Sequence, residues 1–171
     1  ILYGPPGTGK TTTATIFAEK SNLEYYFFNA STDSKQKLKD ILDTTVYKDI
    51  LIVVDEIHRM KKDIQDYLLP FMENGKATVI GLTTLNPYQS VNPANRSRCH
   101  LYEVKKLTDE DIKKAVLNAS HYLDIHIAID DHALDKIVRY SNHEVRAALN
   151  LLENAALLLE DHDMLKSAHV D

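Results

Sequence analysis

The stretch GPPGTGKT at residues 4–11 limits the possible folds of this chain more than any other part of its sequence. It fits the phosphate-loop pattern G-x-x-x-x-G-K-[ST], in which glycines let backbone N–H groups converge on an anion at the N-terminus of a helix. We expect Lys10 to contact the β- and γ-phosphates of a nucleotide and the Thr11 hydroxyl to ligate Mg²⁺. The predicted nucleotide-binding residues are Gly4, Pro5, Pro6, Gly7, Thr8, Gly9, Lys10, Thr11 and Thr12. The alternative is a Gly- and Pro-rich turn with a solvated lysine.

Apolar runs and amphipathic stretches alternate after the loop. The run DILIVVDE is a continuous β-branched segment, which is typical of a central parallel strand covered on both faces. The predicted strands are residues 23–30, 49–56, 76–84 and 100–104, and the predicted helices lie in residues 11–20, 31–45 and 61–75. This alternation predicts an α/β fold, in which helices cover a parallel sheet in three layers.

The periodicity changes at Thr108, because three amphipathic helical patterns follow with no strand among them. The patterns are residues 108–123, 130–141 and 143–160. Thr108 and Asp111 form an acid-bearing variant of the capping box at the start of the first pattern. We therefore predict two domains, an α/β nucleotide-binding core over residues 1–105 and a small all-helical domain over residues 106–171.

Composition excludes several classes of protein. Cys99 is the only cysteine, so no disulfide can form within the chain, and a reducing cytoplasm is the expected compartment. No apolar run approaches the roughly 20 residues of a membrane-spanning helix, so we expect a soluble protein with no membrane partner.

The net charge of the chain is −5, and residues 106–171 carry 7 Lys and Arg against 13 Asp and Glu. This acidic balance argues against general affinity for nucleic acid. Because only residues 1–3 precede the loop, we also expect a piece of a longer chain.

Polar side chains end two of the predicted strands. Asp55 and Glu56 close the most hydrophobic run, at the carboxyl edge of a parallel sheet, where ligands of such folds bind. We predict that Asp55 holds Mg²⁺ and that Glu56 polarises the attacking water. Thr83 and Thr84 end the next strand, and their hydroxyls are weaker candidates for orienting that water. The alternatives are a solvated strand end and two structural threonines.

The remaining charged and histidine side chains give weaker signals. Arg96 and Arg98 precede the last predicted strand, where an arginine often simply pairs with a surface acid. We expect His58 to be structural rather than catalytic, and no zinc-binding spacing is present. The residues that are candidates for contacting DNA phosphates are Lys35, Lys37, Lys39, Arg59, Lys61 and Lys62. A solvated charged face is the alternative for these basic residues.

The motifs form an ordered set: GPPGTGKT, VVDEIHR, TT before NP, SRC, and an arginine within EVRAALNLLE. This order resembles the AAA+ ATPases of the clamp-loader branch. The stretch from VDEIHR to SRC is similar to the replication-associated recombination protein A family, which includes the eukaryotic Werner-helicase-interacting protein. The resemblance runs to about residue 159, and it is most specific in the middle of the chain.

The resemblance assigns a role to each motif. Lys10 and Thr11 match the Walker A motif, and Asp55 and Glu56 match the Walker B motif. Thr84 matches the sensor-1 residue. Arg98 matches the arginine finger, and Arg146 matches the sensor-2 residue. Three features depart from the family pattern. Arg96 lies two residues before the finger and competes for that role. Around sensor 2, residues 143–145 lack the expected glycine, and Ala147 follows Arg146 where a second arginine is expected. Leu85 stands where an acid is expected.

The resemblance implies an ATP-hydrolysing motor that acts on DNA in replication-fork maintenance, repair and recombination. ATP and Mg²⁺ are the implied cofactors. The implied partners are single-stranded, gapped or forked DNA, single-stranded-DNA-binding protein and further copies of the chain in a ring or spiral, for which the family implies a tetramer. The alternatives are a clamp-loader subunit or branch-migration ATPase, and an ATP-binding scaffold without turnover. Glu56 argues against the scaffold, because chains that have lost hydrolysis often lack this acid.

Overall fold

The computed structural model describes residues 1–122, 129–158 and 164–170. The chain divides into two compact units. The first unit consists of Ile1–Pro5 and Gly9–Val104, and the second consists of Pro6–Thr8 and Lys105–Asp171. Each unit has its own hydrophobic core, as the buried residues below show.

A parallel sheet of five strands forms the centre of the first unit. The strands are β1 (Leu2–Tyr3), β2 (Glu24–Asn29), β3 (Ile50–Asp55), β4 (Ala77–Thr83) and β5 (Tyr102–Glu103). Their order across the sheet is β2-β3-β4-β1-β5, and every neighbouring pair is parallel. The predicted parallel α/β sheet is therefore confirmed, with each predicted strand in its expected stretch.

Helices connect successive strands of this sheet. They are α1 (Lys10–Lys20), α2 (Lys35–Asp43), α3 (Lys62–Glu73), α4 (Pro87–Ser90) and α5 (Pro93–Arg96), with short 3₁₀ turns at Thr44–Val46 and Ile57–Arg59. The three predicted helices correspond to α1, α2 and α3. The α2 helix begins at Ser34, whose side chain accepts a hydrogen bond from the Lys37 N–H, as expected of an N-cap serine.

The central strand β3 is covered on both faces, as its β-branched sequence predicts. Every residue from Ile50 to Val54 is at most 1% exposed. Leu51 and Val53 pack in one apolar cluster with Ala14 and Ala18 of α1. The other apolar cluster joins the opposite face of β3 to α2 and α3, and it includes Ile50, Ile52, Val54, Leu38, Leu42 and Leu68. Since burial of each such aliphatic side chain contributes about 1.5–3 kcal/mol, β3 fixes the position of the acids at its end.

The short helices α4 and α5 were not predicted, although the sequence marks both. Each begins with the dipeptide Asn-Pro, at Asn86 and Asn92. The asparagine side chain accepts a hydrogen bond from the backbone N–H two residues later, and the proline occupies the first helical position. This is the usual way in which an N-cap asparagine and an N1 proline start a helix.

The second unit is helical in its described residues. Its helices are α6 (Asp109–Tyr122), α7 (Asp131–Tyr140) and α8 (Val145–Ala156), with a 3₁₀ turn at Ser167–Val170 and one isolated bridge between Ile129 and Leu165. The three helices match the three amphipathic patterns, whose residues 123, 159 and 160 lie outside the described residues. The core of the unit includes Ile112, Val116, Ile137, Leu152 and Leu165.

The predicted capping box at the start of α6 is confirmed. The Asp111 carboxylate accepts hydrogen bonds from the backbone N–H and the hydroxyl of Thr108, at 2.9 and 2.8 Å. The Asp111 N–H in turn donates to the Thr108 hydroxyl oxygen at 3.2 Å.

Among the helices in residues 1–122, 129–158 and 164–170, none is long and apolar enough to span a bilayer.

Candidate functional site

Gly4 begins the phosphate loop directly after β1, in a position that excludes any larger residue. Its φ angle is +149°, and a Cβ there would lie 2.0 Å from the carbonyl oxygen of Val104. Its N–H donates to the carbonyl of Thr83 at 3.2 Å, which continues the pairing of β1 with β4. The loop therefore leaves the sheet between β4 and β5, at the carboxyl ends of the strands.

Gly9 ends the loop and caps α1 in the left-handed conformation, with φ +83°. A Cβ at Gly9 would meet no atom within 4 Å, so the space beside it is open. The first turn of α1 carries no acidic residue, and its sequence begins with Lys10 and Thr11. Because the N–H groups of a first helical turn have no partner within the helix, this end of α1 favours an anion.

Lys10 is held against the backbone of the loop. Its side-chain Nζ donates to the carbonyls of Gly4 and Pro5 at 2.8 and 2.5 Å, and the residue is only 8% exposed. Burial lowers the pKa of Lys10 below its ordinary value, while attraction to Asp55 and Glu56 opposes that shift. The structure thus brings the predicted phosphate-binding lysine and the two predicted acids into one electrostatic environment.

Asp55 and Glu56 differ in backbone conformation at the end of β3. One carboxylate oxygen of Asp55 accepts the Glu56 N–H at 2.9 Å, and the Asp55 carbonyl accepts the N–H of Ala30. Glu56 has φ +52° and ψ +41°, a left-handed conformation that costs a non-glycine residue about 1–3 kcal/mol. The backbone therefore leaves the extended conformation of β3 between these two acids.

His58 links the Glu56 carboxylate to the end of β4. Its side chain is 8% exposed, with Nε2 at 3.1 Å from the Glu56 carboxylate and Nδ1 at 2.9 Å from the Thr83 hydroxyl. We expected a structural histidine, and no local pattern in the sequence indicated these contacts.

The two threonines at the end of β4, Thr83 and Thr84, have different environments. Thr83 is 2% exposed, and its hydroxyl oxygen also accepts the N–H of Leu85 at 3.0 Å. Thr84 is exposed at the edge of the sheet, on the same side as Asp55 and Glu56, because parallel strands end at one edge. Thr84 is thus the threonine accessible to a ligand, and Thr83 is bound within the protein.

Arg96 and Arg98, the two candidates for the arginine finger, are used differently. Arg96 donates to the Tyr88 carbonyl at 2.9 Å, and its guanidinium lies 4.9 Å from the centre of the Tyr88 ring. Arg98 forms an ion pair with Glu73 and donates to the Ala94 carbonyl at 2.7 Å. The Arg98 and Glu73 side chains are 38% and 43% exposed, so this pair lies at the surface. Arg96 instead stabilises the turn between α4 and α5 through its contacts with Tyr88.

The predicted sensor-2 residue lies in the second unit. Arg146 is exposed and is the second residue of α8. Within the same unit, the Val145 N–H at the start of α8 donates to the Gly7 carbonyl at 3.1 Å. Asn142 and His143 both have positive φ angles, of 50° and 63°, in the turn before α8. This turn replaces the glycine that was expected before sensor 2.

Several of the basic residues proposed for DNA contact are paired within the chain. Lys35 pairs with Asp63 at 2.7 Å and Lys37 pairs with Asp33 at 2.6 Å. The Lys39 ammonium lies 5.9 Å from the centre of the Tyr67 ring. Arg59, Lys61 and Lys62 are exposed, in the turn before α3 and at its first residue. The ion pairs of Lys35 and Lys37 reduce the positive potential near α2.

The donors at the carboxyl edge of the sheet suit a magnesium ion. Mg²⁺ prefers oxygen ligands and is usually held by one or two protein groups together with phosphate oxygens. The Thr11 hydroxyl at the start of α1 and the Asp55 carboxylate at the end of β3 supply oxygen donors of this kind. These residues fit a hydrated Mg²⁺ bound with a nucleotide.

The fold and this site define a nucleotide-binding protein of the phosphate-loop class, and comparison with known proteins identifies the family. Residues 1–107 match the model of the "ATPase family associated with various cellular activities (AAA)". The chain therefore belongs to the AAA ATPases and resembles, among them, the replication-associated recombination protein A and WRNIP1 proteins. The resemblance predicted from the motifs is thus confirmed.

Two curated relatives carry this narrower resemblance. The chain is 40% identical over 165 residues to "Replication-associated recombination protein A" of Bacillus subtilis, across 92% of this chain and 39% of that protein. It is 36% identical over 164 residues to "ATPase WRNIP1" of Dictyostelium discoideum, across 91% of this chain and 19% of that protein. The chain thus spans well under half the length of either relative.

A solved structure supports the same fold. The Thermotoga maritima RuvB Holliday junction branch migration motor superimposes with a TM-score of 0.84 at 25% sequence identity, over 99% of this chain and 58% of that chain. The P-loop AAA fold predicted from the motif order is confirmed.

Proposed function

We propose that this chain is the ATP-hydrolysing part of a motor that acts on DNA during replication and recombination. The observation that carries the proposal is the position of Lys10, which is held in the phosphate loop at the N-terminus of α1, at the same edge of the sheet as Asp55 and Glu56 at the end of β3. The names of the relatives support the biological setting. The acid at Glu56 supports ATP hydrolysis rather than ATP binding without turnover.

Each residue of the site has a distinct task in this proposal. Lys10 leaves the carbonyls of Gly4 and Pro5 to contact the phosphates, and Thr11 and Asp55 hold the metal ion. A bound Mg²⁺ neutralises charge on the phosphate oxygens. Glu56 orients and polarises the attacking water, and Thr84 is placed to contact that water or the γ-phosphate. The left-handed backbone at Glu56 supports this division of labour between adjacent acids.

Arg98 is the proposed arginine finger, acting on the nucleotide of a neighbouring subunit. Its partner Glu73 is a surface carboxylate, and an exposed ion pair of this kind is worth only about 0–1 kcal/mol, so assembly can displace it. Arg96 is a poorer finger, because leaving Tyr88 would free the backbone carbonyl that it now satisfies. A finger that acts on the next subunit requires a head-to-tail interface, which generates a ring or a spiral.

We further propose that residues 1–105 act as the catalytic core and residues 106–171 as the lid. Arg146 is the sensor-2 candidate, as the exposed second residue of α8. DNA contact is assigned to the exposed residues Arg59, Lys61 and Lys62, which would bind phosphates without sequence preference.

The test is the rate of Mg-ATP turnover by the full-length protein across a range of protein concentrations, with and without forked or gapped DNA. Lys10→Ala is the blank, and Lys20→Ala, an exposed lysine at the other end of the same helix, is the matched control. Turnover per subunit should rise with protein concentration and with DNA, and DNA stimulation should weaken as salt is raised. Nucleotide binding without turnover above the blank would replace the motor by an ATP-binding scaffold.

A further inference from the structure

His58 makes contacts that a space-filling core histidine does not need. Its neighbours Ile57 and Met60 are each 4% exposed and already supply the apolar packing of this turn. Both ring nitrogens of His58 instead contact side chains of the site, Glu56 on one side and Thr83 on the other. The ring is therefore a bridge between the ends of β3 and β4.

The direction of each hydrogen bond follows from the chemistry of the partners. An ionised carboxylate only accepts, so the Nε2 of His58 carries the hydrogen that is donated to Glu56. In a neutral imidazole the other nitrogen, Nδ1, is then an acceptor, and the Thr83 hydroxyl donates to it. The Thr83 oxygen in turn accepts the Leu85 N–H at 3.0 Å. These bonds form a continuous chain from the turn after β4 to the Glu56 carboxylate.

We propose that His58 is a positioning residue. It couples the conformation of the turn that contains Thr84 and Leu85 to the orientation of the Glu56 carboxylate. This inference rests on the proposed function, in which Glu56 activates water. The left-handed backbone of Glu56 supports it, because a strained non-glycine residue persists only where its surroundings hold it in place. A shift of the turn on nucleotide binding or release then moves Thr83, the imidazole and the carboxylate together.

The first test compares turnover and nucleotide binding in the full-length protein. His58→Ala should lower kcat about 10–100-fold, because a catalytic group misplaced by about 1 Å costs rate on that order. The KM for ATP, and the Kd measured with a fluorescent ATP analogue in Mg²⁺, should stay within about threefold of wild type, since His58 does not contact the phosphate loop in this proposal. His58→Gln, which keeps a donor toward Glu56, should restore part of the lost kcat.

A second pair of variants tests the far end of the bridge, and serves also if His58→Ala does not fold. Thr83→Val removes the hydroxyl with little change in volume and should lower kcat with unchanged KM, whereas Thr83→Ser should keep the wild-type rate. Thr78→Val makes the same change at an exposed position of β4, and His100→Ala removes an exposed histidine. Both control variants should keep the wild-type kcat.

The outcomes separate this inference from the proposed function. If wild type shows no turnover above Lys10→Ala, the proposed function fails and the inference fails with it. If wild type is active and Glu56→Gln is not, but folded His58→Ala and Thr83→Val keep kcat within about twofold, only the inference is overturned. A loss of kcat that His58→Gln does not relieve, and that follows a fall in thermal stability, also overturns it in favour of a structural histidine.

Discussion

Gly4 lies so close to Val104 that the carbonyl oxygen of Val104 occupies the place of a side chain at residue 4, with 2.0 Å between that oxygen and an ideal Cβ. The start of the phosphate loop therefore packs directly against the end of β5, the strand that pairs with β1. A glycine at this position is therefore required by the fold itself.

Gly4→Ala should lower the free energy of unfolding by about 2 kcal/mol or more, because the added methyl group meets backbone and the φ angle of +149° is strained for alanine. Urea unfolding of the full-length protein, followed by circular dichroism, measures the change. Gly75→Ala is the control, since Gly75 also has a positive φ, of 71°, but open space around the Cβ position. Equal losses in the two variants would show that strain alone, and not the contact with Val104, is responsible.

Lys10 should make stability depend on pH in the alkaline range. Burial lowers its pKa from the ordinary 10.5, so between the two values the unfolded chain binds more protons than the folded one. The free energy of unfolding of wild type should therefore rise with pH relative to Lys10→Met, up to about pH 10.5. Parallel pH profiles for the two proteins would contradict the lowered pKa. Lys20→Met, which removes an exposed lysine from the same helix, provides the control profile.

Much of the fold follows from local sequence signals, because each signal has a local physical cause. Residues 50–54 of β3 are all hydrophobic, and four of the five are β-branched, which is typical of a strand buried on both faces. The loop glycines and the α6 capping box are likewise readable from residues close together in the chain. The Asn-Pro starts of α4 and α5 were equally readable, although they went unpredicted.

The parts of the site that were not predicted depend on pairs of residues far apart in sequence. The contact between His58 and Thr83 spans 25 residues, as does the pair between Arg98 and Glu73. Only the parallel register of β3 and β4 brings His58 and Thr83 together, and no local pattern encodes it. The contacts of Arg96 with Tyr88, eight residues away, were also not predicted.

The capping box of α6 should be sensitive to acid. Hydrogen bonds from Thr108 lower the pKa of Asp111 from its ordinary 3.8, so the carboxylate stabilises the folded state above that value and loses this effect as pH falls through the lower, folded pKa. Thr108→Ala should destabilise the helical unit by about 1 kcal/mol at neutral pH. Hydrogen exchange at the first amides of α6 reports the change, with Asp109→Asn as a control that leaves the box intact. Unaltered protection in Thr108→Ala would show that the box contributes nothing.

Arg98 and Arg96 should fail in different ways when each is replaced. Arg98→Ala should lower ATP turnover by about 10²-fold or more at protein concentrations where wild type is assembled, because a finger supplied by a neighbouring subunit is worth about 10³–10⁵ in rate in related hydrolases. Arg96→Ala should instead lower the thermal midpoint, since it removes the donor to the part-buried Pro87 and Val91 carbonyls and the contact with the Tyr88 ring. The reverse pattern, with turnover lost in folded Arg96→Ala and kept in Arg98→Ala, would make Arg96 the finger.

The ion pair with Glu73 gives a further expectation, in the opposite direction. Glu73→Gln releases Arg98 from its partner in the same chain, so turnover at low protein concentration should rise. Because both side chains are exposed, the pair is worth at most about 1 kcal/mol, and the rise should be no more than about fivefold. Turnover measured against protein concentration for wild type, Glu73→Gln and the double variant Glu73→Gln/Arg98→Ala separates the two effects. The gain should vanish in the double variant, and a gain that survives without Arg98 would show that Glu73 acts on the interface by another route.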